Sequence, residues 1–239
     1  MSNSYAGPYK TTGPQTGVSH YKERALSDRE FELLLEGATN TREYYGDQPL
    51  VACLALGRLG LRRAELAHLR ADWIDERQEM VVIPPHQPCE SGENGTICGH
   101  CRQMAHQRVE FNDGVSMDRA LEYQWSPKTE AAAREVYYGY DPRLRLHIER
   151  FFGEYDRWRW SANAISRRVT KAAEQANGLD AERVCPHALR ATAATHHAGR
   201  GLEMHALMQY FGWSQPSTAE VYLSRSGQNT ARQLDSLHQ

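Results

Sequence analysis

Long apolar runs are absent from this sequence of 239 residues. The longest, Leu50–Leu56, is far shorter than the roughly 20 residues that a membrane-spanning helix needs. An apolar core of the kind found in secretory signal peptides is also missing near the N-terminus. These absences predict a cytoplasmic protein that does not act at a membrane.

A large excess of either charge is missing as well. The chain carries 28 basic and 30 acidic residues, so its formal net charge is −2 with the 11 histidines neutral. No global basic excess indicates a nucleic-acid partner, although the placement of charge matters more than its sum. The hydrophobic content of 40% and the charged content of 24% are ordinary for a folded domain and exclude disorder as the main state.

The five cysteines are an odd number, and three of them are crowded at positions 89, 98 and 101. This pattern excludes a disulfide framework and indicates a metal site or free thiols in a reducing compartment. The length of the chain predicts one large domain or two small ones.

Helical patterns dominate the chain. Ser27 and Glu30 form a capping-box pattern that predicts a helix over residues 31–38. Short strands are predicted at residues 80–83 and 134–138. The predicted fold class is therefore mainly α with a small antiparallel β-sheet (α+β).

The domain boundaries follow from composition. Residues 1–25 are rich in glycine, proline, serine and threonine and predict a flexible tail, with one domain over residues 26–239. A long, irregular, cysteine-rich insert is predicted at residues 84–127, between the two strands. Four short helices are predicted after Pro186, and the last of them, at 228–239, has a thin apolar stripe.

The C-terminal third contains the sharpest chemical pattern. His187 and Arg190 are three residues apart and lie on one helix face, and Trp213 and Tyr222 follow. Attack on a phosphodiester without a metal needs a nucleophile, cations for the phosphate oxygens, and groups that transfer protons. Tyrosine, arginine and histidine are suitable residue types for these roles.

The segment from Pro186 to Tyr222 resembles the active-site stretch of the tyrosine recombinase (phage integrase) family. The segment Gly60–Leu66 resembles the first arginine motif of the same family, and the resemblance spans residues 26–225. It implies the catalytic-domain fold of that family. It also implies a site-specific recombinase or integrase that cleaves and rejoins DNA through a 3′-phosphotyrosyl intermediate, without metal or ATP.

The resemblance assigns roles to the matching positions. Tyr222 would be the nucleophile, and His187 would be the general acid or base beside it. Arg62 and Arg190 would hold the non-bridging phosphate oxygens, which suits the planar fork of a guanidinium group.

Three further positions match the family less directly. Trp213 stands where the family has histidine or tryptophan, and its indole N–H can donate a hydrogen bond but cannot relay protons. Glu65 matches an acidic position that orients the site. Lys128 is the best match for the lysine that protonates the departing 5′-oxygen, and Lys171, the competing lysine, lies in a predicted helix without a hairpin pattern.

The insert contains two ligand pairs, His86 with Cys89 and Cys98 with Cys101. Four such ligands can hold Zn²⁺ tetrahedrally, so we predict a structural zinc rather than a catalytic one. His100 or His106 could replace His86, and a loop of free thiols is the competing interpretation. The insert resembles those of integrases from halophilic archaea and their viruses.

The stretch from Arg143 to Lys171 has eight basic residues against three acidic ones. It could meet DNA phosphates, and a solvated helix face is the competing interpretation. The resemblance implies that the final helix packs on a neighbouring protomer, so a dimer to tetramer on double-stranded DNA is expected. The predicted DNA-binding residues are Arg143, Arg145, Arg167, Arg168 and Lys171.

Two other functions stay open on the sequence alone. One is a type IB topoisomerase-like enzyme that relaxes DNA, and the other is a DNA-binding regulator without catalysis. Family members usually carry a separate N-terminal helical domain that clamps DNA, which 25 flexible residues cannot form. Weak DNA binding, a partner protein or a fragment would each account for this departure.

Overall fold

The computed structural model describes residues 21–223, 230–231, 234–235 and 237–238. In this part of the chain, helices surround one small sheet, which confirms the predicted fold class. The strands are β1 (Ile74–Asp75), β2 (Met80–Ile83) and β3 (Arg134–Tyr137). The α-helices are α1 (Asp28–Asn40), α2 (Arg42–Tyr45), α3 (Gln48–Gly57), α4 (Arg63–Ala67), α5 (Gly99–Phe111), α6 (Met117–Glu122), α7 (Pro142–Glu154), α8 (Ala162–Glu174), α9 (Pro186–Gly199), α10 (Met204–Phe211) and α11 (Pro216–Leu223).

The core is built around α3, which packs against α1, α8 and α9. Residues 51–57 of α3 are all buried, because apolar and small side chains surround the helix on every side. The predicted capping box at the start of α1 is confirmed. The Glu30 amide donates to the Ser27 hydroxyl at 3.2 Å, and the Glu30 carboxylate accepts from the Ser27 amide at 2.8 Å.

The sheet has the order β1-β2-β3, with both pairs antiparallel. Val81 lies opposite Val136, and both side chains are buried. The two predicted strands are confirmed. β1 has only two residues, which is too short for a periodic pattern in the sequence.

The insert between β2 and β3 was predicted to be irregular, and this prediction is wrong. It contains α5 and α6, each with a side-chain cap: Cys98 for α5 and Ser116 for α6. Cys101 and Ala105 are the buried residues of α5. Few apolar residues recur at helical spacing in α5, so the hydrophobic pattern of the sequence did not predict this helix.

Gly212 joins α10 to Trp213 in a left-handed conformation, with φ of +61°. A Cβ atom there would lie 2.7 Å from the carbonyl oxygen of Ala131, so the turn requires glycine. Three of the four helices predicted after Pro186 are present as α9, α10 and α11.

The structure describes only part of each predicted end of the domain. Residues 1–20 of the predicted tail lie outside the described residues, while Tyr21–Arg24 form a 3₁₀ helix that contacts α9. The last residues of the predicted flexible tail are therefore folded against the domain. The predicted helix at 228–239 lies partly outside the described residues.

Candidate active site and metal centre

Glu65 lies at the centre of the candidate active site and is buried. Its carboxylate accepts from the backbone amide of Arg62 at 2.8 Å and from Nη1 of Arg62 at 2.7 Å. Arg62 stands just before α4 and also donates from Nη2 to the carbonyl oxygen of Gly212 at 3.1 Å. This contact joins the first arginine motif to the turn before Trp213.

Arg134 is a buried member of the site that sequence reasoning missed. It donates from Nη1 and Nη2 to the two carboxylate oxygens of Glu65, at 3.0 and 3.1 Å. Its Nε donates to the carbonyl oxygen of Tyr210 at 2.7 Å, so it links β3 to α10. Burial raises the pKa of a carboxyl, but Arg134, with Arg190 and Arg62, holds the pKa of Glu65 at about 2.

Arg190 is buried on α9 and donates to the carbonyl oxygens of Gly60 and Phe211. Its guanidinium carbon lies 5.9 Å from the ring centroid of Trp213. Burial, followed by the charge of Arg62, lowers the pKa of Arg190 to about 9. The side chain therefore stays cationic at neutral pH.

Trp213 and Tyr222 are stacked, with ring centroids 5.3 Å apart and an interplanar angle of 9°. Trp213 also stacks on Phe211 at 4.8 Å. Tyr222, on α11, is only 8% exposed. The structure thus brings the predicted nucleophile to the Arg190 side of the site but covers most of its surface.

A cleft of about 960 Å³ opens beside these residues, and Arg62, His187 and Arg190 lie on its wall. Lys128, in the connection between α6 and β3, lies on the same wall. Partial burial and the nearby cations Arg63, Arg190 and Lys128 lower the pKa of His187. The cleft therefore combines fixed cations with an imidazole that is neutral at pH 7.

The five residues predicted to bind DNA do not line this cleft. Arg143 makes two hydrogen bonds with Glu32, at 2.7 and 2.9 Å, and Arg145 makes one with Glu79 at 2.8 Å. Lys171 pairs with Glu174 at 3.1 Å, Arg168 is held by Gln48, and Arg167 is exposed on α8. The charge count along the sequence missed partners that lie far away in the chain.

Four side chains, three from the insert and one from the turn after α4, form a candidate metal centre: His68, Cys89, Cys98 and Cys101. Nε2 of His68 lies 3.5, 3.5 and 3.2 Å from the sulfur atoms of Cys89, Cys98 and Cys101, respectively. Zinc with Zn–S and Zn–N bonds of about 2.3 and 2.0 Å has ligand atoms roughly 3.5 to 3.8 Å apart, so the donor set fits a tetrahedral ion.

The surroundings of the cluster also suit a metal ion. Nδ1 of His68 donates to the carbonyl oxygen of Ala64 at 2.7 Å, which leaves Nε2 for a metal. Hydrogen bonds among the three thiols lower the pKa of Cys89 and raise that of Cys101, so the cluster favours one thiolate, the form that binds metal. The His68 ring stacks on Trp125 at 5.2 Å.

The prediction of His86 as a ligand is wrong. Nδ1 of His86 lies 3.0 Å from the carbonyl oxygen of Trp125, and His86 does not belong to the cluster. His68 takes this place because the turn after α4 brings it to the three cysteines from 21 to 33 positions away. No ligand spacing in the sequence marks so distant a histidine.

Comparison with known proteins decides the family. The profile described as "Phage integrase family" matches residues 24–228, which is most of the chain. The chain belongs to this family, the tyrosine recombinases. A search of curated protein sequences gave no significant match.

Solved structures share the recombinase fold at low sequence identity. XerA recombinase is 16% identical with a TM-score of 0.58, and the alignment covers 95% of this chain and 67% of XerA. The Tn1549 transposon integrase in complex with transposon right-end DNA is 17% identical with a TM-score of 0.59, covering 90% and 66%. This recombinase chain thus spans about two thirds of their length. Among its described helices, none is long and apolar enough to cross a bilayer.

Proposed function

We propose that this tyrosine recombinase cleaves and rejoins double-stranded DNA at specific sites. One observation carries the proposal: Arg62, Lys128 and the α9 pair His187 and Arg190, which come from three separate parts of the chain, meet at one cleft beside Tyr222. Two guanidinium groups can hold the non-bridging oxygens of a single phosphate and stabilise the charge of the transition state.

The reaction assigns one bond or proton to each group. The phenol oxygen of Tyr222 bonds to phosphorus, while the bond from phosphorus to the 5′-oxygen breaks. The phenol proton moves to His187, whose lowered pKa keeps the ring neutral and able to accept it. Lys128 gives a proton to the 5′-oxygen. Rejoining is the reverse attack by a 5′-hydroxyl, so the bond energy is conserved without ATP.

The buried position of Tyr222 adds a step before the chemistry. Tyr222 is only 8% exposed, stacks on Trp213 and is not one of the described residues that line the cleft. We therefore propose that DNA binding shifts α11.

We propose a structural zinc ion at His68, Cys89, Cys98 and Cys101. Four protein ligands leave no open coordination position, so the metal would order the insert and take no part in the chemistry. This Cys₃His set needs reduced thiols, which with a DNA partner supports a cytoplasmic location. The haloarchaeal resemblance of the insert stays a prediction.

We also propose that the chain acts on DNA as a dimer to tetramer. Leu234 and Leu237, in the predicted C-terminal helix, are 51% and 77% exposed, which supports their burial against a neighbouring protomer. DNA as the partner is supported by the related Tn1549 integrase structures, which are complexes with DNA.

Covalent trapping tests the proposed function. Wild-type protein and the Tyr222→Phe variant are incubated with a pool of synthetic duplexes that have a randomised central segment, and then denatured with detergent. We expect DNA to stay attached to the wild type alone. Binding without any adduct would instead favour the regulator. Relaxation of supercoiled plasmid by the monomer, without site preference, would favour the topoisomerase-like enzyme.

A further inference from the structure

The helix α5 of the insert has three distinct faces. Cys101 and Ala105 are buried toward the metal cluster and the protein interior. The second face lines the catalytic cleft through His100, Met104, Gln107, Arg108 and Phe111, at the helical spacing of three and four residues. The third face, which includes Arg102, is exposed and does not line the cleft.

The cleft-facing side of α5 is exposed and carries groups suited to base recognition. Phe111 is 79% exposed and Met104 is 40% exposed, although both are large and apolar. The side chains of Gln107 and Arg108 make no hydrogen bond or ion pair within the part of the chain that the structure describes. A glutamine amide can form two hydrogen bonds with adenine, and an arginine guanidinium group can form two with guanine.

Arg108 is held ready for such a contact. Its guanidinium carbon lies 4.4 Å from the ring centroid of Tyr123, which also lines the cleft. Stacking on an aromatic face restricts the plane of the guanidinium group but leaves its N–H donors free at the edge. The side chain therefore loses less entropy when it binds a base.

The positive charge of the cleft suits DNA as its occupant. Among the described residues that line it, the cations outnumber the single carboxylate, Glu65, which is already neutralised by Arg134. The catalytic residues and the α5 face share one continuous wall, so DNA on the catalytic residues would pass α5. The cations of this wall are Arg62, Arg63, Arg108, Lys128 and Arg190.

We propose that α5 reads the base sequence next to the cleaved phosphate, with Gln107 and Arg108 contacting base edges and Met104 and Phe111 packing on apolar groups such as the thymine methyl. A helix about 10 to 12 Å wide fits the major groove, where each base pair has a distinct pattern of donors and acceptors. This inference rests on the proposed function, because it needs DNA in the catalytic cleft.

The candidate metal centre fixes the position of α5 relative to the catalytic residues. Cys98 caps α5 and Cys101 lies in its first turn, while His68 is three residues after Glu65. The cluster therefore ties the N-terminal end of α5 to the segment that carries the catalytic arginine Arg62. The side chains of α5 that contact bases are thus held at a fixed distance from the residues that cleave the phosphate.

The test is covalent selection from the randomised duplex pool, followed by sequencing of the DNA attached to each variant. Gln107→Ala and Arg108→Ala are compared with Arg102→Ala. This control removes the same charge as Arg108→Ala, but from the solvent face of the same helix. We expect wild type and Arg102→Ala to select the same sequences. Each cleft-face variant should lose roughly 10-fold or more of its base discrimination over one block of positions beside the cleavage point.

The outcomes separate this inference from the proposed function. Unchanged sequence preference in Gln107→Ala and Arg108→Ala, with adducts still formed, would overturn the reading role of α5 and leave the recombinase activity standing. A uniform loss of adducts without altered preference would show phosphate contact and overturn base reading. No adducts from wild type would overturn the proposed function itself. Thermal unfolding of each variant confirms that it is folded.

Discussion

At the scale of single residues, the site depends on a buried carboxylate among guanidinium groups. Glu65 accepts from Arg62 and Arg134 and lowers the repulsion that Arg190 would otherwise meet beside them. A buried charge without its partner is strongly unfavourable, whereas a satisfied network holds its members in one geometry. Glu65 is therefore a positioning residue for the arginines that we assign to the phosphate.

Removal of this carboxylate tests the network. We expect Glu65→Gln to lower the free energy of unfolding by about 3 kcal/mol or more, because Arg134 stays buried without a counter-charge. Glu36→Gln, at an exposed carboxylate, is the control and should change stability little. Urea unfolding at neutral pH measures both, and equal stability of the two variants would contradict the role of Glu65.

Acid should act on the same network. The pKa of Glu65 in the folded state, about 2, lies below its ordinary value of 4.5. Its contribution to stability is therefore complete above about pH 4.5 and is lost as the pH falls toward 2. Glu65→Gln should show a smaller loss of stability than wild type over this window in acid unfolding experiments.

The lowered pKa of His187 predicts how the rate of cleavage depends on pH. Its pKa lies below the ordinary value of 6.5, so the ring is neutral at pH 7 and becomes protonated only at more acidic pH. We expect the rate of covalent adduct formation to be level near pH 7 and to fall on acidification. His187→Gln should react slowly and without this acidic limb. An acidic limb of unchanged shape in the variant would assign it to another group.

At the scale of elements, the insert is attached to the rest of the domain at two places, the start of α5 and Trp125. Its helix α5 is joined to the turn after α4 through the candidate metal centre, and Trp125, near the end of the insert, stacks on the same His68 ring. Trp125 and Gln87 also exchange backbone hydrogen bonds of 2.9 and 2.6 Å. Lys128 follows three residues later, so the cluster supports both the α5 face and the predicted general acid.

Metal analysis tests this arrangement with a matched pair of histidine variants. We expect about one zinc ion per chain in wild type and in His86→Ala, and loss of zinc in His68→Ala. The His68 variant should also unfold at lower temperature and form adducts more slowly, because α5 and Lys128 lose their common support. Elemental analysis gives the first result, and retention of zinc by His68→Ala would overturn the assigned ligand set.

At the scale of the whole molecule, the net charge of −2 conceals an uneven distribution. On the cleft wall, Arg63, Arg108 and Lys128 are exposed and make no ion pair within the described residues, whereas Arg143 and Arg145 are paired with carboxylates from distant parts of the chain. Because paired cations release few counterions when DNA approaches, we expect the cleft to dominate the electrostatic part of the proposed DNA binding.

Salt dependence distinguishes the two surfaces. We expect Arg63→Ala, which removes an exposed cation of the cleft wall, to reduce the slope of log affinity against log salt by about one. Arg143→Ala should leave that slope unchanged, since Glu32 already neutralises the side chain. Titration of a fluorescent duplex at several salt concentrations measures this, and equal slopes for both variants would refute the assignment of the DNA surface to the cleft.

The sequence by itself determined the family, the fold class, the two longer strands, the α1 cap and the catalytic candidates, because each depends on neighbouring residues or on an ordered series of local motifs. Only the tertiary structure decided which histidine joins the three cysteines, which arginine supports Glu65, which cations pair with carboxylates and which side of α5 faces the cleft. His68, Arg134 and the Arg143–Glu32 pair bring together residues dozens of positions apart. Packing of distant elements, which no local spacing encodes, fixes those contacts.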